Sequence, residues 1–215
     1  MLGHNGSTDG MDMSLRHALL GLLDAAPMTG YELDQILDET FGYPWTAPRS
    51  QIYPSLRQME AEGLIEAEVK HTGERERREY RILEPGRAEL ARWVAEPVPY
   101  AGARDAAHLK ASMMNMVKLD EAEKLFLAHR DHFRQRLEIW NKRIDAIQAG
   151  TSPLLEARLR DQPPDEQAKL IAFKLCGYEG SAMRARTEIE WAEHGLVTVA
   201  SLRQATRTPN SIDVA

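Results

Sequence analysis

Residues 49–65 constrain this chain more than any other stretch. At helical spacing Ile52, Leu56 and Met59 fall on one stripe, while Ser50, Gln51, Pro54, Arg57 and Gln58 turn the other way. Such a helix buries its stripe and presents its polar side. It follows a shorter helical segment and precedes a basic hairpin, the order in which a buried stripe anchors a helix whose outer face enters a DNA major groove. The polar face is therefore the candidate DNA-reading surface, with a merely solvated face as the blander alternative. Tyr53, at its edge, either donates to a phosphate or packs its ring on the core.

From residue 12 to 96 the elements are short and change period quickly. Ser14 can cap a first helix whose Leu15, Ala18, Leu19, Leu22 and Leu23 form an apolar stripe that stops at Pro27. Thr29 and Glu32 fit a capping box opening a second helix, with Tyr31, Leu33, Ile36 and Leu37 inward, that ends near Gly42 and Pro44. Trp45 and Pro48 precede the third helix. Its Pro54 lacks a backbone donor, so that helix is expected to start late or with a distorted first turn, and Gly63 closes it. Ile65, Ala67 and Val69 alternate with Glu66, Glu68 and Lys70, and Tyr80 and Ile82 alternate with Glu79 and Arg81, which predicts two strands. Between them, residues 71–78 read as a turn. Arg75, Arg77 and Arg78 make its tip basic, although Glu74, Glu76 and Glu79 offset part of the attraction to phosphates. A further helix from Pro85 can pack Leu90 and Trp93 on this module. Arg16 and His17 are secondary candidates for approaching a nucleic-acid backbone. The fold class is mainly α: an N-terminal winged helix-turn-helix with a two-stranded β-hairpin wing, followed by a C-terminal helical domain.

The junction at residues 96–102 carries proline and glycine without helical or strand character, so a second domain is placed at 105–196 and loose tails at 1–11 and 197–215. Leu109, Met113 and Met116 advance by four and three. Phe133, Leu137, Trp140, Ile144 and Ile147 continue the same spacing, as do Ile171, Leu175, Tyr178, Ala182, Ala185, Ile189 and Ala192. Seams of this kind pack helix on helix. Phe133, Leu137, Trp140, Ile144, Ile147, Tyr178 and Ile189 are the residues expected to hold a homodimer. Two winged helices related by a two-fold axis would read an inverted repeat with half-sites roughly one or two helical turns apart.

These residues also carry a resemblance. Leu15 through Leu23, Thr29-Gly-Tyr-Glu-Leu33, Trp45, Gln51-Ile-Tyr53, Leu56, Met59-Glu60 and Glu62-Gly-Leu-Ile65 resemble the PadR family of bacterial transcriptional regulators. Residues 178–196, with Glu188, Glu190 and Trp191, resemble the helical C-terminal domain of its virulence-activator-like branch. Pro48 and Leu83 depart from the family, standing where relatives usually have a capping Ser and Thr. The resemblance implies a homodimer on operator DNA, acting as a repressor released by a small aromatic or lipophilic effector. An activator of the same architecture would share every DNA-facing residue. A winged helix can also serve as a protein-interaction module, which would lack the steep loss of DNA affinity with salt.

Trp93, Met113, Met116, Phe133 and Trp140 could line an effector cavity, or could simply be core. No cofactor is expected, and the absence of a phosphate loop, a nucleophile elbow or a Cys-His pair argues against an enzyme. Among seven histidines only His129 and His132 have a close spacing, which reads as a solvated pair and not as a metal site. Cys176 is expected to be a buried, inert thiol. A net charge of −6 requires any phosphate contact to come from a local cluster. No apolar run is long enough to span a bilayer and the start lacks a secretory pattern, so a cytoplasmic protein without a membrane partner is expected.

Overall fold

The computed structural model describes residues 9–41, 49–72, 75–98 and 105–207. The chain divides into two compact units, one of residues 1–99 together with Pro153–Asp161, the other of Tyr100–Ser152 together with Gln162–Ala215.

The first unit runs α1 (Asp9–Leu23), β1 (Met28–Thr29), α2 (Gly30–Phe41), α3 (Arg49–Ala61), β2 (Ile65–Thr72), β3 (Arg75–Ile82) and α4 (Glu84–Ala95), and takes back α7 (Pro153–Leu159). The stripe of α1 is buried throughout and meets Leu33 and Leu37 of α2, Ile52, Leu56 and Met59 of α3, and Ile65, Tyr80 and Ile82 of the sheet in a single core. α1 begins at Asp9, so Ser14 lies inside it and does not cap it. The hairpin is longer than the alternation alone indicated: Thr72 pairs with Arg75, and most of the expected turn sequence is strand. A third strand was not anticipated. Met28 pairs with Tyr80 and Thr29 with Glu79, giving a sheet ordered β1-β3-β2 instead of a two-stranded wing.

α3 starts at Arg49, well before Pro54, rather than late. The proline therefore sits past the first turn and forfeits one ladder bond, a local cost that the buried Ile52, Leu56 and Met59 offset. Trp45 and Pro48 lie outside the described residues. Leu83 precedes α4 without a side-chain cap, and the Leu83 N–H instead donates to the Leu64 carbonyl at 2.8 Å. α7 adds Leu155 to the buried residues and lays Leu154 against the core, and Arg158 donates to Asp24 at 2.8 Å.

Arg16 does not face outward. It donates to Glu89 on α4 and to Glu62 just after α3, so one guanidinium ties three helices. His17 is buried with its ring stacked on Trp93, 4.5 Å between centroids at 6°. The hydrogen bond from Arg16 is the largest cause holding the Glu62 and Glu89 carboxyls below their ordinary range, and its charge adds to it. Carboxyls depressed in the folded state stabilise it at neutral pH and lose that effect as pH falls below the ordinary carboxylate range. Arg16→Gln is expected to cost on the order of 1 kcal/mol at neutral pH and much less in acid, where both carboxyls are protonated. Urea unfolding at the two pH values checks this, and an equal deficit at both would refute it.

The second unit is α5 (Ala106–Ala111), a single 3-10 turn (Met114–Met116), α6 (Leu119–Gln148) and α8 (Pro164–Arg207). The run Leu109, Met113, Met116 is broken between α5 and the 3-10 turn, and all three side chains are exposed. α6 and α8 lie antiparallel. Trp140 meets Tyr178 at 5.6 Å, Arg134 donates to Glu193 at 2.8 Å, and Arg203 donates to Glu123 at 2.7 Å. Burial pushes the Tyr178 hydroxyl above its usual pKa. α8 continues to Arg207 and buries Val199, so residues 197–207 are helix and not tail. Cys176, expected inside, is exposed on α8.

Candidate nucleic-acid interface

The capping box fixes the phase of α2. The Thr29 N–H donates to Glu32 Oε2 at 2.8 Å, and the Glu32 N–H donates to Thr29 Oγ1 at 3.2 Å. The bond from the Thr29 N–H, and after it that from the Thr29 hydroxyl to the same Oε2 at 2.8 Å, hold the Glu32 carboxyl below its usual range. From that start Leu33 and Leu37 point into the core, and Tyr31 points away, 64% exposed, with Gln35 Nε2 donating to its hydroxyl at 2.9 Å. The inward placement expected of Tyr31 is thus reversed. At 100° per residue Tyr31 lies 200° from Leu33, so the helical period itself separates them.

α3 carries its polar residues on the opposite side from Ile52, Leu56 and Met59. Ser50, Gln51, Tyr53, Pro54, Arg57 and Gln58 are all exposed. The ring of Tyr53 does not enter the core. It lies against Gly30, where an added Cβ would come within 2.7 Å of Tyr53 Cε1, so a larger residue there would push the ring aside. β3 completes the surround. Together these elements form a groove of about 920 Å³ that includes Tyr31, Tyr53, Arg57, Arg77, Arg78 and Tyr80 in its lining. Burial raises the pKa of the Tyr80 hydroxyl.

The arginines of this groove differ in their engagement. Arg78 donates through Nη2 to both oxygens of Glu60 on α3, at 2.7 and 2.8 Å, and lies over the Tyr80 ring at 5.6 Å. It fastens the wing to α3. Arg57 and Arg77 have no ion-pair partner among the described residues, although Arg77 is close enough to Glu32 to lower its pKa. The Arg75 side chain lies outside the described residues. Gln58 Nε2 donates to Glu62 Oε1 at 3.0 Å, and Lys70 and Arg81 pair with Glu79 and Glu66. Glu66 and Glu79 of the hairpin are thereby paired within the protein, and the Arg57 and Arg77 guanidinium groups stand beside exposed amides and hydroxyls. Such an arrangement can hold an anion while offering hydrogen bonds to a base edge. Tyr31 and Gln35 are the lining residues that sequence reasoning missed.

The remaining candidates are distributed as follows. Trp93 belongs to the first unit, against His17. Met113, Met116, Phe133 and Trp140 belong to the second, where the ring of Phe133 is 4.7 Å from that of His129 and Arg143 lies 4.8 Å over Trp140. A cavity of about 320 Å³ in that unit is lined by other residues, among them Lys110, Met114, Phe126, His129 and Trp191. Phe133, Leu137, Ile144, Tyr178 and Ile189 are half-buried along α6 and α8, and Trp140 and Ile147 are buried.

Residues 19–92 match the PadR-like family of transcriptional regulators. The chain is 45% identical to the transcriptional regulator Rv1176c of Mycobacterium tuberculosis over 87 residues, 40% of this chain and 46% of that protein, so it spans about half the length of that relative. It is 29% identical to the negative transcriptional regulator PadR of Bacillus subtilis over 143 residues, 65% of this chain and 78% of that one. The crystal structure of Bacillus subtilis PadR with operator DNA superposes with a TM-score of 0.67 at 25% identity, covering 86% of this chain and 97% of that one. The same protein with p-coumaric acid gives 0.62 at 24% identity over 86% and 98%. Among the described residues no helix is long and apolar enough to cross a membrane.

Proposed function

We propose that this chain, whose residues 19–92 match the PadR-like family of transcriptional regulators, acts in the cytoplasm as a homodimeric repressor, reading an inverted-repeat operator through the outer face of α3 and the β2–β3 wing. PadR-family proteins are regulators and not enzymes. The observation that carries the reading is the groove between α2, α3 and β3, where Arg57 and Arg77 have no ion-pair partner among the described residues and stand beside exposed Ser50, Gln51, Tyr53, Pro54 and Gln58. Arg57, in the second half of α3, suits a base edge; Arg75, Arg77 and Arg78 suit phosphates, with Arg78 also holding the wing in place. Repression is favoured by the similarity to a negative regulator that was solved on its operator.

The expected result is that Arg57→Ala weakens binding to a footprinted operator by about 1 to 3 kcal/mol with the helix intact. Unchanged affinity would remove Arg57 from the interface. Arg77→Gln should instead weaken specific and random duplex alike and flatten the salt dependence. A salt slope equal to that of the parent protein would show that the wing does not touch DNA, and no salt dependence at all would favour a protein-interaction module.

The effector is proposed to be a small aromatic or lipophilic molecule, as the p-coumaric acid complex of the Bacillus subtilis protein suggests. The cavity beside Met114, Phe126 and Trp191 would receive its apolar body, with Lys110 at hand for an acidic group. Dimerisation is proposed to use the half-buried seam residues of α6 and α8 together with Ile139 and Phe173, the latter 70% exposed. At 44 residues α8 is roughly 66 Å long, against roughly 45 Å for the 30 residues of α6, so one chain leaves part of the longer helix without a partner.

A further inference from the structure

We propose that Asp105, His108 and Glu188 form a binding site for a divalent transition-metal ion, with His129 positioning the Glu188 carboxylate. Three elements of the second unit converge there. Asp105 caps α5 and His108 lies in its first turn, Glu188 is on α8, and His129 is on α6. Asp105, His108 and Glu188 each offer one ligand atom, all within 4.8 Å of one another. His108 Nδ1 stands 2.9 Å from Asp105 Oδ2, and His108 Nε2 stands 3.9 Å from Glu188 Oε2. That same Glu188 oxygen is 3.0 Å from His129 Nε2.

Donors bound to one zinc-sized ion at roughly 2.0 to 2.2 Å lie roughly 3 to 3.5 Å from each other. The 2.9 Å separation is to Nδ1 and the 3.9 Å separation to Nε2 of the same ring, so an ion would take one of these nitrogens and the carboxylate facing the other would swing round to it, a short rotation since the ligand atoms lie within 4.8 Å of one another. One imidazole with two carboxylates is a hard-to-borderline donor set that suits manganese, iron, cobalt or zinc and offers nothing to a thiophilic ion. Ligating carboxylates are themselves held by hydrogen bonds, the part that His129 would play for Glu188.

The surroundings separate this cluster from an ordinary solvated patch of charge. The side chains of His129 and Glu188 are only 16% and 18% exposed. The Trp191 ring lies 4.1 Å from His108 and 4.9 Å from His129, and Phe133 lies 4.7 Å from His129. Asp105 and His108 are more open, 44% and 43% exposed, so the site would face solvent on the α5 side and hold its Glu188 ligand in the less solvated part, where a divalent cation would offset the carboxylate's charge. The ion would also tie the short α5 to α6 and α8. No sequence spacing announces it, because its members come from three distant segments.

Cobalt(II) titrated into the tag-free, metal-stripped full-length protein tests the site by visible absorption. The expected result is one equivalent bound per chain, displaced by zinc. His108→Ala and Glu188→Gln should each weaken binding at least tenfold, and His129→Ala should weaken it by roughly 10- to 100-fold without changing the stoichiometry. His132→Ala, on α6 one turn away, should leave it unchanged. Equal affinity in His108→Ala and Glu188→Gln with parent-like circular dichroism would overturn the site. Should those variants fail to fold, anomalous diffraction from cobalt in crystals of the parent protein decides: a peak between Asp105, His108 and Glu188 supports it, and a peak only elsewhere overturns it.

Discussion

Gly86→Ala is expected to lower the melting temperature of the first unit by more than about 10 °C and to abolish operator binding at temperatures the parent protein tolerates. Gly86 is buried in the first turn of α4. A Cβ there would stand 2.4 Å from the Leu64 carbonyl oxygen and 2.8 Å from Ile82 Cγ1. The carbonyl cannot retreat freely, since it accepts the Leu83 N–H that starts the helix. Either that bond breaks or α4 lifts from the sheet, exposing Leu90 and loosening Glu89 from Arg16. Overpacking of this kind costs roughly 1 to 3 kcal/mol and occasionally more, and each kcal/mol is worth about 4 to 8 °C in a domain of this size. Thermal unfolding followed by circular dichroism checks it, and a shift below a few degrees would mean that the two elements separate more easily than their hydrogen bonding indicates.

The second large effect concerns assembly. Phe173→Glu is expected to split the proposed homodimer and to reduce operator affinity by roughly 10²- to 10⁴-fold, because two linked modules bind adjacent half-sites far more tightly than either does alone. Phe173 is the better probe because Leu137, although it lies on the seam, is half-buried along α6. A charge there would test internal packing and association together. Analytical ultracentrifugation at micromolar concentration, paired with binding to full and half operators, reads both quantities. A parent chain that sediments as a monomer, or a Phe173→Glu variant that binds as tightly as the parent, would defeat the dimer.

What was legible in the sequence depended on how local its cause was. The capping box of Thr29 and Glu32 is set by two side chains three residues apart, and the structure forms it as the spacing indicates. The stripes of α1 and α3 and the alternation of β2 and β3 likewise follow from single-element periods. β1 was missed because two residues, Met28 and Thr29, carry no period, and they become a strand only when β3 lies beside them. The break after α5 escaped notice since Leu109, Met113 and Met116 keep a helical spacing that the backbone does not follow. At the groove, the exposed amides of α3 were visible as a face. The engagement of Arg78 by Glu60 and of Arg16 by Glu62 and Glu89 was not, because those partners meet only after the chain has folded. Cys176 was misplaced for a related reason: a helix as long as α8 has faces that α5 and α6 do not reach.

The return of α7 has a practical consequence for anyone dissecting this protein. The winged helix is not a cassette that ends at residue 98, since Leu154 packs against its hydrophobic core and Arg158 closes on Asp24. A fragment cut after α4 would expose the apolar patch that Leu154 normally covers, and a weak DNA binder obtained that way would report a damaged module as well as a missing partner. Joining residue 98 to Pro153 through a flexible linker and ending at Asp161 would restore the interior while removing α5, α6 and α8. Along the chain, α5 and α6 interrupt the module between α4 and α7, whereas α8 follows it, so the module is closed by a segment that arrives only after the first long helix has been made.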